Sequence, residues 1–187
     1  MSWPDGLVVA THNPGKLAEW RALLGPVDDA ASVGLDEPDE PHGRFADNAL
    51  HKATRATQAC GRPCLAEDAG LVVPALGGRP GVHTKREALA AGGWEALSHA
   101  LLDELEVAEV EARYLCALAL VWPDGRVVMA EAAAQGTLVR PRGEGPGLCP
   151  SFVPAGSEST WAELGAGWRR DHDHRALALA SLRRQLP

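Results

Sequence analysis

Short apolar runs alternate with helical stripes through the first half of the chain. Gly6-Leu-Val-Val-Ala10 is a compact apolar run, read as a buried strand. Pro14-Gly15 marks a turn, and Lys16 to Leu24 follows as a helix with Leu17, Trp20 and Leu24 on one stripe. Asp36 to Gly43 is acidic and Pro-rich, hence a loop. Phe45 to Cys60 has the alanine-rich pattern of a helix. Pro63 to Ala66 begins a strand that runs into Glu67-Asp68-Ala69-Gly70, and Leu71 to Val73 continues it. Gly77 to Gly81 is a turn, and Trp94 to Leu105 is a helix. Ala112 to Trp122 and Arg126 to Ala134 read as two strands joined across Pro123-Asp124-Gly125, a hairpin signal. Thr137 to Arg140 forms a further short strand. Pro141 to Pro154 reads as a Gly/Pro-rich loop, Thr160 to Leu164 as a short helix, and Asp173 to Leu186 as a closing helix. Alternating strands and helices followed by a hairpin predict an α/β fold with a mixed sheet.

Composition narrows the function classes. The chain has 187 residues, 45% apolar and 23% charged, which excludes disorder as the main state. That length suits one domain over 1–187, or two small lobes sharing a core. The net charge of −7 disfavours a nucleic acid polymer as partner, because such binding rests on neutralised phosphates. No apolar run approaches the roughly 20 residues that span a bilayer, so no membrane partner is expected. The N-terminal stretch lacks the basic start of a signal peptide. The four cysteines are scattered, which suits reduced thiols and a cytoplasmic address.

Chemistry concentrates in a few segments. Thr11-His12-Asn13-Pro14-Gly15-Lys16 lies between strand and helix, where backbone N–H groups and a Lys can hold phosphate. It lacks the Walker spacing, and a polar turn capping a helix is the plainer reading of this segment alone. Glu40, Asp47, Glu67 and Asp68 are hard oxygen donors suited to Mg²⁺. Strand alternation sends the Glu67 and Asp68 side chains opposite ways. The three lysines of the chain, Lys16, Lys52 and Lys85, all fall in candidate segments. His172-Asp173-His174 has too few partners for zinc, and Asp173 as a helix cap is simpler.

Taken together these segments resemble the Ham1/inosine triphosphate pyrophosphatase family over nearly the whole chain. VVATHNPGKLAEW is similar to its T/S-x-N-x-x-K-x-x-E motif, with Thr11, Asn13, Lys16 and Glu19 in place. FADNALHKA resembles F-x-E-N-A-x-x-K-A, with Asp47 for Glu and with Asn48 and Lys52 kept. PCLAEDAGLVVPALGGRPGVHTKR resembles the family's Asp-Asp stretch, with Glu67 for its first acid and Ala69 for the usual hydroxyl residue. FVPAGSESTWAEL and DHRALAL are similar to its last two motifs.

The resemblance implies a long mixed sheet with flanking helices, two lobes around a central cleft, and a homodimer. It implies Mg²⁺-dependent hydrolysis of a nucleoside triphosphate to monophosphate and pyrophosphate. Thr11, Asn13, Lys16 and Lys52 would hold the triphosphate, with Lys85 or Arg86 joining them. Asp68 would be the general base and a metal partner, with Glu40 and Glu67 as further metal ligands. His174 and Arg175 match the family's base-side motif. Two departures fall there: Cys149 stands for an Asp that reads the base, and Ser159 for a Lys donor. The aromatic ring expected at Leu148 is also missing. These losses predict a base other than hypoxanthine or xanthine, such as a 6-amino purine or a modified nucleotide of a specialised pathway. The alternatives are an ordinary ITP/XTP/dITP house-cleaning pyrophosphatase, or a nucleotide-binding protein without catalysis.

Overall fold

A computed structural model describes residues 3–36 and 40–186. The strands in chain order are β1 (Val8–Val9), β2 (Asp28–Asp29), β3 (Cys64–Val72), β4 (Glu109–Val121), β5 (Val127–Val139) and β6 (Phe152–Pro154). The helices are α1 (Pro14–Leu24), α2 (Phe45–Cys60), α3 (Thr84–Ala91), α4 (Trp94–Glu104), α5 (Trp161–His172) and α6 (His174–Arg183). The strands form one mixed sheet in the order β2-β1-β3-β4-β5-β6. β1 runs parallel to both β2 and β3, and β6 runs antiparallel to β5. This is the α/β class expected from the alternation of patterns.

The chain divides into two compact units. One comprises Met1–Asp68, Cys116–Ala132 and Arg175–Pro187, the other Ala69–Leu115 and Ala133–His174. In the first unit α2 buries Asn48, Ala49, Lys52, Ala53, Ala56 and Thr57 along one face. Small alanines between the polar residues let the helix lie close to its neighbours, and Val8, Ala56 and Cys64 share a cluster. The helix has Asp47 in its first turn, where the helix dipole favours an anion, and it stops at Gly61 with φ 66°. In the second unit the core gathers Leu71, Leu97, Leu101, Leu138, Phe152 and Trp161.

Several elements differ from the sequence expectation. β5 is continuous across the break expected near residue 135. Gly136 explains the continuity: a Cβ there would run into the Val153 carbonyl and the Phe152 ring, so only glycine lets β6 pair with β5. β6 itself lies inside the stretch read as a loop, hidden because Pro150 stands just before it and Pro154 is its last residue. α3 was not anticipated, since its exposed Lys85, Arg86 and Leu89 give no apolar stripe. α5 outruns the short helix expected over 160–164. Gly165, at φ 81°, breaks its helical geometry, and a second stretch continues to His172. Of the acidic loop expected over 36–43, residues 37–39 lie outside the described set. No described helix is long and apolar enough to cross a membrane.

Candidate active site

β3 ends its passage through the first unit at Glu67 and Asp68, and alternation gives the two carboxylates different company. Asp68 is 4% exposed. Its Oδ2 accepts from Asn48 Nδ2 at 3.0 Å, and its Oδ1 lies 3.4 Å from Lys52 Nζ. The same ammonium donates to Glu40 Oε1 at 2.7 Å. Asn48 and Lys52 sit four residues apart on the buried face of α2, one turn from each other, so both reach the same acid. Asn48 also pins the preceding loop, accepting from His42 N at 2.9 Å and donating to His42 O at 3.1 Å. That loop carries Glu40. Burial pushes the Asp68 carboxyl above the usual range, while the Lys52 charge and the Asn48 hydrogen bond oppose the rise.

Glu67 belongs to a second, separate cluster. Its Oε2 accepts from Trp20 Nε1 at 3.0 Å and from Arg175 Nε at 2.8 Å. Its Oε1 accepts from Arg175 Nη2 at 3.0 Å and lies 3.3 Å from Lys16 Nζ. Arg175 Nη1 donates to Glu19 Oε2 at 2.5 Å. Burial alone would depress Arg175, but Glu67 and Glu19 hold its guanidinium well above the ordinary value. Burial would likewise lower Lys16, and the Glu67 carboxylate more than offsets that. A carboxylate accepting from three side chains, two of them cationic, is committed to holding Lys16 and Arg175 in place.

The loop before α1 is both a cap and a candidate anion site. Asn13 Oδ1 accepts from Gly15 N at 2.9 Å and from Lys16 N at 3.2 Å. The first free backbone donors of the helix are therefore already satisfied by Asn13. A cradle of bare backbone N–H groups is not what this loop offers. Thr11 Oγ1 accepts from Asn13 N at 3.2 Å and fixes the turn. What faces outward is the Thr11 hydroxyl, the Asn13 amide and the half-exposed Lys16 ammonium.

In the second unit Tyr114, Phe152, Trp161 and His174 form an aromatic cluster. Trp161 and His174 stack at 5.4 Å with an interplanar angle of 25°, and Tyr114 lies 4.4 Å from His174. Cys149 is buried beside this core, and Arg169 Nη1 lies 3.1 Å from its Sγ. Arg169 sits on the stretch of α5 beyond Leu164, to which the sequence pattern assigns no element, so its nearness to Cys149 was not anticipated. Ser159 stands in a tight turn, its backbone N–H donating to Ser157 Oγ at 3.0 Å. The turn leads into a capping box in which Thr160 N donates to Glu163 Oε2 at 2.7 Å. Lys85 and Arg86 are exposed on the first turn of α3.

The family model for the Ham1 family matches residues 7–185. The chain belongs to the Ham1 family. A dITP/XTP pyrophosphatase of Rhodospirillum centenum is 42% identical over 188 residues, covering 95% of this chain and 93% of that protein. The structure of a HAM1 protein from Coxiella burnetii superposes with a TM-score of 0.83 at 29% identity, covering 94% of this chain and 95% of that one. A nucleoside-triphosphatase/dITP/XTP pyrophosphatase structure from Mycobacterium abscessus gives 0.74 at 37% identity, covering 94% and 97%.

Two of these relatives are named dITP/XTP pyrophosphatases, which favours the alternative over the expectation of a divergent base. The divergent reading rests on a donor lost at Ser159, an acid lost at Cys149 and an aromatic ring lost at Leu148. Arg169 lies outside the motifs compared. Its guanidinium lies 3.1 Å from Cys149 Sγ, a donor beside one of the substituted positions.

Proposed function

We propose that this Ham1 chain hydrolyses purine nucleoside triphosphates of the dITP/XTP kind to the monophosphate and pyrophosphate. The observation that carries the reading is the buried set Lys52, Asp68 and Asn48 with the half-buried Glu40 beside it. Glu40 Oε1 and Asp68 Oδ1 share one ammonium, so two hard oxygen donors point toward one spot. Among the described residues no group of three or more His, Cys, Asp or Glu side chains gathers in a metal-binding arrangement. Two carboxylates without thiol or imidazole suit Mg²⁺, which keeps waters and takes substrate phosphates as its remaining ligands. Glu40 and Asp68 would hold it, and it would supply charge neutralisation on the triphosphate when bound.

The residues of this chain account for the rest of the reaction. Lys16 and Lys52 pair with phosphate oxygens and stabilise the charge that develops as the bond from the α-phosphorus to the pyrophosphate breaks. Thr11 and Asn13 position the phosphates from the loop before α1. Asp68, held by Asn48, takes the proton of the attacking water, and its raised pKa suits a base better than an ordinary carboxylate. Glu67 fixes Lys16 and Arg175 and is not needed as a metal ligand. On the base side, Arg169 donates to the keto oxygen of hypoxanthine or xanthine, with Cys149 as its neighbour. His174 belongs to the aromatic cluster that the planar base would meet. Partnership with a second copy is carried over from the resemblance alone.

Pyrophosphate release with Mg²⁺ over ATP, dATP, GTP, ITP, dITP, XTP, CTP and UTP tests the reading. Faster turnover of ITP, dITP and XTP than of every amino-bearing nucleotide is expected. ATP or dATP as the best substrate overturns it.

A further inference from the structure

We propose that Cys60 and Cys64 form an oxidation site, a dithiol that peroxide-class oxidants convert to an intramolecular disulfide. α2 ends at Cys60, Gly61 reverses the chain at φ 66°, and Cys64 opens β3. The turn brings the two sulfurs to 3.5 Å. A disulfide needs about 2 Å, so closure requires a shift of about 1.5 Å. The strand side is pinned: Val8 N donates to Pro63 O at 2.9 Å, and Ala10 N to Leu65 O at 2.8 Å. The movement therefore falls on the last turn of α2 and the Cys60 side chain.

The two thiols divide the chemistry between them. Cys60 is half-buried, within reach of a small oxidant, while Cys64 is fully buried. Burial pushes the Cys64 thiol up to about 12, so it does not itself react with free oxidant, and its part as resolving thiol rests on lying 3.5 Å from the Cys60 sulfur. Cys60 sulfur attacks a peroxide oxygen, the O–O bond breaks, and one water leaves with the Cys60 proton, giving a sulfenic acid. Cys64 sulfur then displaces the hydroxyl from Cys60 sulfur, and that hydroxyl leaves as a second water with the Cys64 proton. Two thiols lose two hydrogens and two electrons, and the peroxide is reduced to two waters. Neither residue belongs to the nucleotide-facing set.

The test treats the full-length protein with hydrogen peroxide, alkylates free thiols and digests with trypsin. Trypsin does not cut before proline, so Arg62-Pro63 and Arg79-Pro80 stay intact. Residues 56–85 then form one peptide holding Cys60 and Cys64 and neither Cys116 nor Cys149. The expected peptide is lighter by two hydrogens, unalkylated, and regains two alkylatable thiols after dithiothreitol. A peptide that stays doubly alkylated at every dose, or that only gains oxygen, overturns the proposal. Cys60→Ser is expected to abolish the loss of two hydrogens while pyrophosphate release continues. A Cys60→Ser protein that still loses two hydrogens from this peptide also overturns it.

Discussion

The residues assigned to the triphosphate and those assigned to the base are held by different physics. In the first unit, charged groups hold each other: Lys52 between Glu40 and Asp68, and Glu67 between Lys16, Trp20 and Arg175. Removing one member takes away part of the charge that offsets the burial of the rest, so these positions tolerate few replacements. In the second unit, aromatic packing around Trp161 does the holding, and polar contacts such as Arg169 to Cys149 sit beside it. Packing accepts changes of side chain that keep volume. The larger departures from the family motifs, at Leu148, Cys149 and Ser159, fall in the second set, where the physics allows them, while Asp47 and Glu67 in the first unit keep the charge of the acids they stand for.

The largest break in that comparison comes from Asp68→Asn. Turnover is expected to fall about 10³-fold, the scale of a lost general base, for every nucleotide alike. Circular dichroism should show the fold unchanged. Near-normal pyrophosphate release would remove Asp68 from the role. Lys52→Met comes next, with a loss of about 10²-fold in kcat/KM, again independent of the base. A change in base preference in either variant would contradict the division between the two regions.

Glu67→Gln separates holding from chemistry. Gln keeps one acceptor but leaves Arg175 and Lys16 without the carboxylate charge that offsets their burial. A cost of about 3 kcal/mol in urea unfolding is expected, from a broken buried pair. Activity should fall less than in Asp68→Asn, and excess Mg²⁺ should not restore it. Recovery with Mg²⁺ would make Glu67 a metal ligand instead. Arg169→Met is the counterpart in the second unit. Its expected effect is a drop of about tenfold in the ratio of ITP to ATP turnover, one charged hydrogen bond's worth of discrimination. An unchanged ratio would take Arg169 out of base recognition.

The same contrast explains what the sequence made legible. The grouping of the charged residues in the first unit was readable because its spacing is local: Asn48 and Lys52 one helical turn apart, Glu67 and Asp68 adjacent on a strand. Such periods translate directly into which side chains share a face. The partner of each was not readable. That Glu67 would face Arg175, 108 residues away in sequence, depends on tertiary packing. Arg169 was hidden for a local reason, since Gly165 and Gly167 give its segment the composition of a loop. β6 was hidden likewise, because a three-residue strand between prolines carries no period of its own. Gly136 could have signalled it, as an isolated glycine in a strand marks a close backbone approach.

The smallest expected effect is on stability, and it sets the cost of the triphosphate side against its use. The Asp68 carboxyl is raised above its unfolded value of 3.8 in the metal-free protein, chiefly by burial. As pH rises through 3.8, the unfolded chain gives up this proton first, while the folded chain retains it until its own higher pKa is passed. Folding stability from this group is therefore complete below 3.8 and is lost as pH climbs through the folded value. Asp68→Asn cannot ionise and has no such loss. Urea midpoints of the two metal-free proteins, measured from about pH 4 to 7, should move apart with rising pH in favour of Asp68→Asn. Added Mg²⁺ should stabilise the wild type more than the variant and narrow the gap, because the cation repays the charge that burial penalises. A gap that stays constant with pH would mean that Lys52 and Asn48 already compensate the carboxylate in full. The triphosphate side would then carry no electrostatic cost to distinguish it from the packed aromatic side.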